Sequence, residues 1–145
     1  MKIAIASDHA GYLEKNQLID FLQEKGIKAV NFGTDSKDSV DYPLYGQKVA
    51  KSIINKESDR GIIICGTGIG ISIAANRFNN IRASLCTTTM HAEMARKHND
   101  SNVLALGARM TDMDEMKKIV EVWLNTEFEG GRHQDRIQKI ENINN

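Results

Sequence analysis

The chain has 145 residues, enough for one hydrophobic core, and its 19 Lys plus Arg balance 19 Asp plus Glu, so no basic excess favours a nucleic-acid backbone as partner. Two cysteines offer neither a disulfide framework nor a CxxC metal spacing, which fits a reducing cytoplasm. No apolar run reaches membrane-spanning length, and Asp8 and His9 interrupt the apolar start a signal peptide would need, so neither a membrane nor export is expected.

Residues 3–6 read as a short buried strand, followed by a turn at Asp8-His9-Ala10-Gly11. Residues 12–25 form an amphipathic helix with Leu18, Phe21 and Leu22 on one face and Gly26 as its stop. A second strand, 27–32, leads into a polar loop over 33–41. Pro43, the only proline, opens a helix over 44–55. Strand 61–65 runs into alternating glycines, and a short helix continues to about residue 78. Strand 81–86, a helix ending near His98, strand 103–106 closed by Gly107, and a helix over 111–125 complete the alternation. Gly130-Gly131 breaks the chain before a final polar helix over 134–143. Strands alternating with helices predict a three-layer α/β/α sandwich around a five-stranded parallel sheet, in one domain over 1–145. The tail, 130–145, lies outside the alternation; it either covers this molecule's sheet or reaches a second subunit.

In an open parallel sheet, ligands bind beyond the carboxyl ends of the strands. Those ends carry Asp8 and His9, then Cys65-Gly66-Thr67-Gly68-Ile69-Gly70, then Thr87, then Gly107 to Arg109. The glycine loop turns main-chain N–H groups and a helix start toward one spot beside a thiol. It is no P-loop, since no lysine follows Gly70. It is no Cys-x5-Arg phosphatase loop, since Ile71 stands at the arginine position. A dinucleotide fingerprint also fails, because Thr87 replaces the acidic residue after the next strand. An anion or oxyanion cradle of main-chain amides remains, alongside the plainer reading of a tight turn without a ligand.

Several residues keep two readings. Cys65 is either a buried apolar filler or a nucleophilic thiolate, whereas Cys86, with no glycine loop after it, reads as filler. Asp8 either caps a helix or binds a ligand. Thr67 offers its hydroxyl to an oxyanion in the cradle or steadies the turn. His98 follows Arg96-Lys97 at a helix end that runs back toward the amino ends of the strands, so reaching the carboxyl-end site requires a loop excursion or a second subunit. Arg132 and Arg136 share a helix face, as a solvated surface or as a guanidinium clamp on phosphate. Trp123 belongs either to the core or to an interface. No His/Asp/Glu cluster is visible, so no metal is expected.

Six segments taken together resemble the ribose-5-phosphate isomerase B family, part of a group that includes galactose-6-phosphate and allose-6-phosphate isomerases. They are Ser7-Asp8-His9-Ala10-Gly11, Asp41-Tyr42-Pro43, the run from Cys65 to Asn76, Arg96-Lys97-His98-Asn99-Asp100, the run from Asn102 to Arg109, and Glu129-Gly130-Gly131-Arg132-His133. The resemblance spans nearly the whole chain. It implies an aldose–ketose isomerase without metal or cofactor, acting on a small sugar phosphate through an enediolate. It implies Cys65 as the base, because the glutamate that serves a second branch of the family is replaced by Ile71. It implies His98 as the ring-opening residue and Asp8 and Asn99 as sugar-hydroxyl ligands. His9, Arg109, Arg132 and Arg136 would contact substrate and phosphate, and Gly66 to Gly70 would cradle the enediolate oxygens. A homodimer or dimer of dimers with shared sites is implied as well. Ribose 5-phosphate is the expected substrate. A six-carbon 6-phosphate and a non-catalytic phosphate- or nucleotide-binding module stay open as alternatives.

Overall fold

Alternation along the central strands sorts the core into two unlike halves. A computed structural model describes residues 1–143. Its strands β1 (Lys2–Ser7), β2 (Lys28–Asn31), β3 (Arg60–Cys65), β4 (Ala83–Leu85) and β5 (Val103–Gly107) form one parallel sheet in the order β2-β1-β3-β5-β4. Ile3, Ile5, Ile62, Ile64, Leu104 and Leu106 fill one face beneath α1 (Tyr12–Glu24), α4 (Thr89–Asn99) and α5 (Met113–Asn125). Ala4, Ala6, Ile63, Cys65, Val103 and Ala105 fill the other, beneath α2 (Tyr42–Ile54) and α3 (Ile69–Ala75). This is the expected three-layer α/β/α sandwich. Each fully buried Ile or Leu contributes about 1.5–3 kcal/mol through apolar burial. The smaller side chains of the second face let α2 lie close to the sheet, and a Cβ at Gly61 would overlap Val49.

The strand order creates the site. From β1 the chain moves outward to β2, then returns to place β3 on the other side of β1. The helix after β1 packs on one face and the helix after β3 on the other, so a crevice opens where the carboxyl ends of β1 and β3 lie side by side. Asp8 follows the first of these strands, and Cys65 ends the second.

Several boundaries differ from the sequence reading for local reasons. Helix α2 starts at Tyr42, two residues early, because proline is tolerated anywhere in the first turn, where N–H groups have no helical acceptor. Strand β4 keeps only three residues of the expected 81–86. Ile81 is buried, but its N–H donates to the Phe78 carbonyl in a turn rather than to the sheet. Helix α5 begins at Met113, since Asp112 caps it by accepting from the Glu115 amide at 2.9 Å. Trp123 lies wholly within the core, and its Nε1 donates to Ser101 Oγ at 3.2 Å. The last helix, α6 (Arg132–Glu141), packs on α4 of its own chain, and Glu141 pairs with Arg82 and accepts from the Asn80 amide. Residues 144 and 145 of the tail lie outside the described residues.

Candidate active site

At the crevice between β1 and β3, Cys65 is only 4% exposed, yet it lines an open cavity of about 480 Å³. The Gly68 N–H donates to its sulfur at 3.1 Å, closing the glycine loop over the thiol. That contact depends on the left-handed backbone at Gly68 (φ 78°), where an added Cβ would also stand 2.5 Å from Leu85 and 2.9 Å from the Leu106 carbonyl carbon. Thr67 Oγ1 accepts from the Ile69 N–H at 3.2 Å, so the hydroxyl does steady the turn, and its own O–H remains a donor. With the Gly68 and Ile69 amides so engaged, helix geometry leaves the Gly70 and Ile71 amides without an intrahelical acceptor. Arg109 also lines the cavity, with its guanidinium packed against Gly66, and brings a fixed positive charge to the wall.

Asp8 serves two purposes. Its Oδ1 accepts from the Ala10 amide at 2.9 Å and the Gly11 amide at 3.3 Å, capping the 3₁₀ turn His9–Gly11. The same residue lines the cavity, so capping fixes the carboxylate there. His9 faces an adjoining hollow of about 470 Å³ that shares Asp8 and Tyr42 with the first. Its Nδ1 accepts from the Val40 N–H at 3.1 Å, which puts the proton of the neutral ring on Nε2.

The structure thus gathers Asp8, Cys65, Gly66, Thr67, Ile69, Gly70 and Arg109 around one cavity, with His9 next door and Gly68 beneath the sulfur. It adds two wall residues that sequence reasoning missed, Tyr42 and Ile73. Tyr42 packs against Gly70, where an added Cβ would meet the ring at 2.5 Å. The one signal for it was its place beside Pro43, at the mouth of the helix facing the glycine loop.

The other candidates lie elsewhere on the chain. Asn99 ends α4 and lines one hollow with Arg82, Ala83 and Ser84 at the amino end of edge strand β4, and a second with Ser84, Cys86 and His91 between that strand and α4. Its carbonyl accepts from Arg82 Nε at 2.9 Å. His98 stacks on His133 of α6, with centroids 4.4 Å apart and planes 16° from parallel. Arg132 and Arg136 are exposed on α6 and form no ion pair among the described residues. These four residues sit toward the opposite end of the sheet from Cys65, as the direction of α4 required.

One grouping contradicts the sequence reading. No His/Asp/Glu cluster is legible along the chain, yet a nitrogen of His98, a nitrogen of His133 and a carboxylate oxygen of Glu129 lie within 4.8 Å of one another. His133 Nε2 is 3.5 Å from Glu129 Oε2. Glu129 and His133 are four residues apart but His98 is distant in sequence, and the loop after α5 brings the pair to it by docking on α4, where the Glu129 N–H donates to the Lys97 carbonyl at 3.1 Å.

The second cysteine borders a smaller hollow, of about 290 Å³, with His91 and Asn99, but its thiol is held differently. Cys86 is 1% exposed in the core, its thiol donates to the Ser84 carbonyl at 3.7 Å, and burial pushes that thiol up to about 12.

Comparison with known proteins places these features in a lineage. The model of the Ribose/Galactose Isomerase family matches residues 3–140. Ribose-5-phosphate isomerase B of Escherichia coli is 46% identical over 139 residues, covering 96% of this chain and 93% of that one. The solved structure of Clostridium thermocellum ribose-5-phosphate isomerase B superposes with a TM-score of 0.98 at 52% identity, covering 99% and 97% of the two chains. That of a Thermotoga maritima ribose 5-phosphate isomerase gives 0.96 at 49% identity, covering 97% of each.

Proposed function

We infer the activity from one premise: the chain belongs to the Ribose/Galactose Isomerase family. It is an aldose–ketose isomerase that interconverts D-ribose 5-phosphate and D-ribulose 5-phosphate. Relatives named for that pentose reaction match it over almost their whole length, which favours this substrate over a six-carbon 6-phosphate and over a non-catalytic binding module. The observation that carries the chemistry is the Cys65 sulfur on the cavity wall, with the Gly68 amide directed at it.

The steps follow from these positions. With the sugar open, the Cys65 thiolate takes the C2 hydrogen as a proton. The electron pair of that bond becomes the C1–C2 π bond, and the carbonyl oxygen on C1 takes the negative charge. A proton moves from O2 to O1, and the thiol returns its proton to C1, leaving a C2 ketone and a thiolate. The main chain from Gly66 to Gly70, where the Gly70 amide has no intrahelical acceptor, and the hydroxyl of Thr67 cradle the developing charge, and preorganised donors of this kind are worth about 3 kcal/mol each. Asp8 holds a sugar hydroxyl. His98 opens the furanose by relaying the O1 proton toward the ring oxygen, and Asn99 binds a hydroxyl. Arg109, His9, Arg132 and Arg136 bind the phosphate end, where guanidinium groups match phosphate geometry.

Because His98, Asn99, Arg132 and Arg136 lie away from Cys65 on one protomer, we assign them to the cavity of a second copy. Exposed Tyr42, Leu44, Ile69 and Ile73 around the crevice supply apolar area for that contact. The two free thiols fit a reducing compartment such as the cytoplasm. No helix among the described residues is long and apolar enough to cross a membrane.

The direct test is conversion of ribose 5-phosphate in the presence of a chelator. Undiminished turnover is expected, and its loss would show a metal requirement that this mechanism omits. Shared sites are tested by mixing two inactive variants, Cys65→Ala and His98→Ala. Random re-pairing restores one intact site in half of the dimers, so about a quarter of wild-type activity should return. No recovery would place both residues in the same protomer's site.

A further inference from the structure

Two imidazoles and one carboxylate gathered beside α4 have no role as a set in the mechanism above. We propose that His98, Glu129 and His133 form a binding site for a divalent transition ion of the zinc type, and that occupancy inhibits the enzyme by withdrawing His98 from the substrate. The binding half stands on the geometry alone, whereas the inhibition half rests on the ring-opening role assigned to His98.

The donor set suits such an ion. Zinc and its neighbours take imidazole nitrogen and carboxylate oxygen, and three protein ligands leave a fourth position for water. Tetrahedral coordination at about 2.0–2.1 Å requires ligand atoms roughly 3.3 Å apart. The His133–Glu129 pair is already at 3.5 Å, and all three ligand atoms lie within 4.8 Å, so closure is a matter of small side-chain turns. His133, 7% exposed, is held in place by packing. His98 is half-buried and has no hydrogen-bond partner among the described residues, so its ring is free to turn out of the stack. Glu129 is exposed and supplies an entry path. Arg132, Arg136 and Lys97 lie on the same elements and oppose a second positive charge, although Lys97 is neutralised by Glu93. This setting suits a reversible, regulatory affinity better than a permanently held ion.

Cys65 could also capture zinc, so binding is measured in a Cys65→Ser background. Calorimetry with zinc chloride alone should show one site per chain, weakened roughly tenfold or more by Glu129→Gln and lost with His133→Gln. Cobalt in place of zinc should give visible absorption bands of a tetrahedral site that disappear with His133→Gln. In the chain with Cys65 intact, zinc should slow ribose 5-phosphate conversion more than ribulose 5-phosphate conversion, and chelator should reverse it. Glu129→Gln, which leaves basal turnover unchanged, should require roughly tenfold more zinc for the same inhibition. Affinity weaker than about 1 mM, or affinity unmoved by both substitutions, overturns the site. Binding at the triad with no effect on turnover overturns the inhibition and counts against the role of His98, while the isomerase assignment stands.

Discussion

Cys65 and Cys86 are the same residue at comparable points of the fold, and their surroundings make them opposites. Each stands at the carboxyl end of a strand and is buried in a core cluster, on opposite faces of the sheet. The Cys65 sulfur accepts a hydrogen bond from the Gly68 amide, whereas the Cys86 sulfur donates one to the Ser84 carbonyl. An acceptor role supports negative charge on sulfur, and a donor role keeps the proton in place. The difference begins in the next few residues. Both cysteines border a hollow, but Gly66-Thr67-Gly68 curls back over the first thiol, whereas Thr87-Thr88-Thr89 leads away into α4, with Thr88 Oγ1 accepting from the His91 amide at 3.1 Å. Burial alone therefore does not distinguish the cysteine we propose as the base from a structural one. The direction of the nearest hydrogen bond does.

The largest effect that could break this contrast is on turnover. Cys65→Ala should lower kcat for ribose 5-phosphate by about 10³-fold or more, the scale of losing a general base, with sugar-phosphate binding largely kept. Cys86→Ala should leave kcat within about twofold and cost roughly 1 kcal/mol of stability for the small cavity it opens. Similar activity loss from both substitutions would erase the distinction. Alkylation sharpens it next. At pH 8 a thiol pushed up to about 12 is ionised in only about one molecule in 10⁴, so Cys86 should resist iodoacetamide in the native protein. Mass spectrometry should find the label on Cys65 at least about a hundredfold faster, with ribose 5-phosphate slowing it. Equal labelling at the two positions would mean that Cys86 is reached through local opening.

The contiguous half of the site was legible in the sequence because one loop carries it. Cys65 through Gly70 share a turn, and the sheet rule places Asp8 beside them. Strand order was not legible, since the apolar pattern of β1 or β5 records burial and says nothing of neighbours. Strand β4 read too long for the same reason: Ile81 and Cys86 are buried, but their burial reflects core packing at either end of a three-residue ladder. Tyr42 and Ile73 escaped notice because they enter the cavity from helices, through packing contacts no local spacing predicts. The His98–Glu129–His133 grouping escaped for a stronger reason, as it arises only when the loop after α5 docks on α4. The direction of α4 did foretell that His98 would lie away from Cys65 on a single chain.

The smallest effect tests the Cys86 side of the contrast through its proton. In the folded chain burial holds this thiol as S–H from its ordinary value of 9.0 up to about 12, while the unfolded chain releases the proton near the ordinary value. Between those limits the unfolded state binds fewer protons than the folded state, so stability falls as pH rises through that window and the contribution is complete below it. The slope approaches about 1.4 kcal/mol per pH unit once the unfolded thiol is ionised. Every other group that titrates in this range is common to a variant and its parent. In a Cys65→Ser background, urea midpoints at pH 9 and pH 10 should therefore show Cys86→Ala losing about 1 kcal/mol less than its parent over that unit. Parallel loss in the two proteins would mean that water reaches Cys86 in the folded state, and the hydrogen-bond direction that separates the two cysteines would no longer account for their difference.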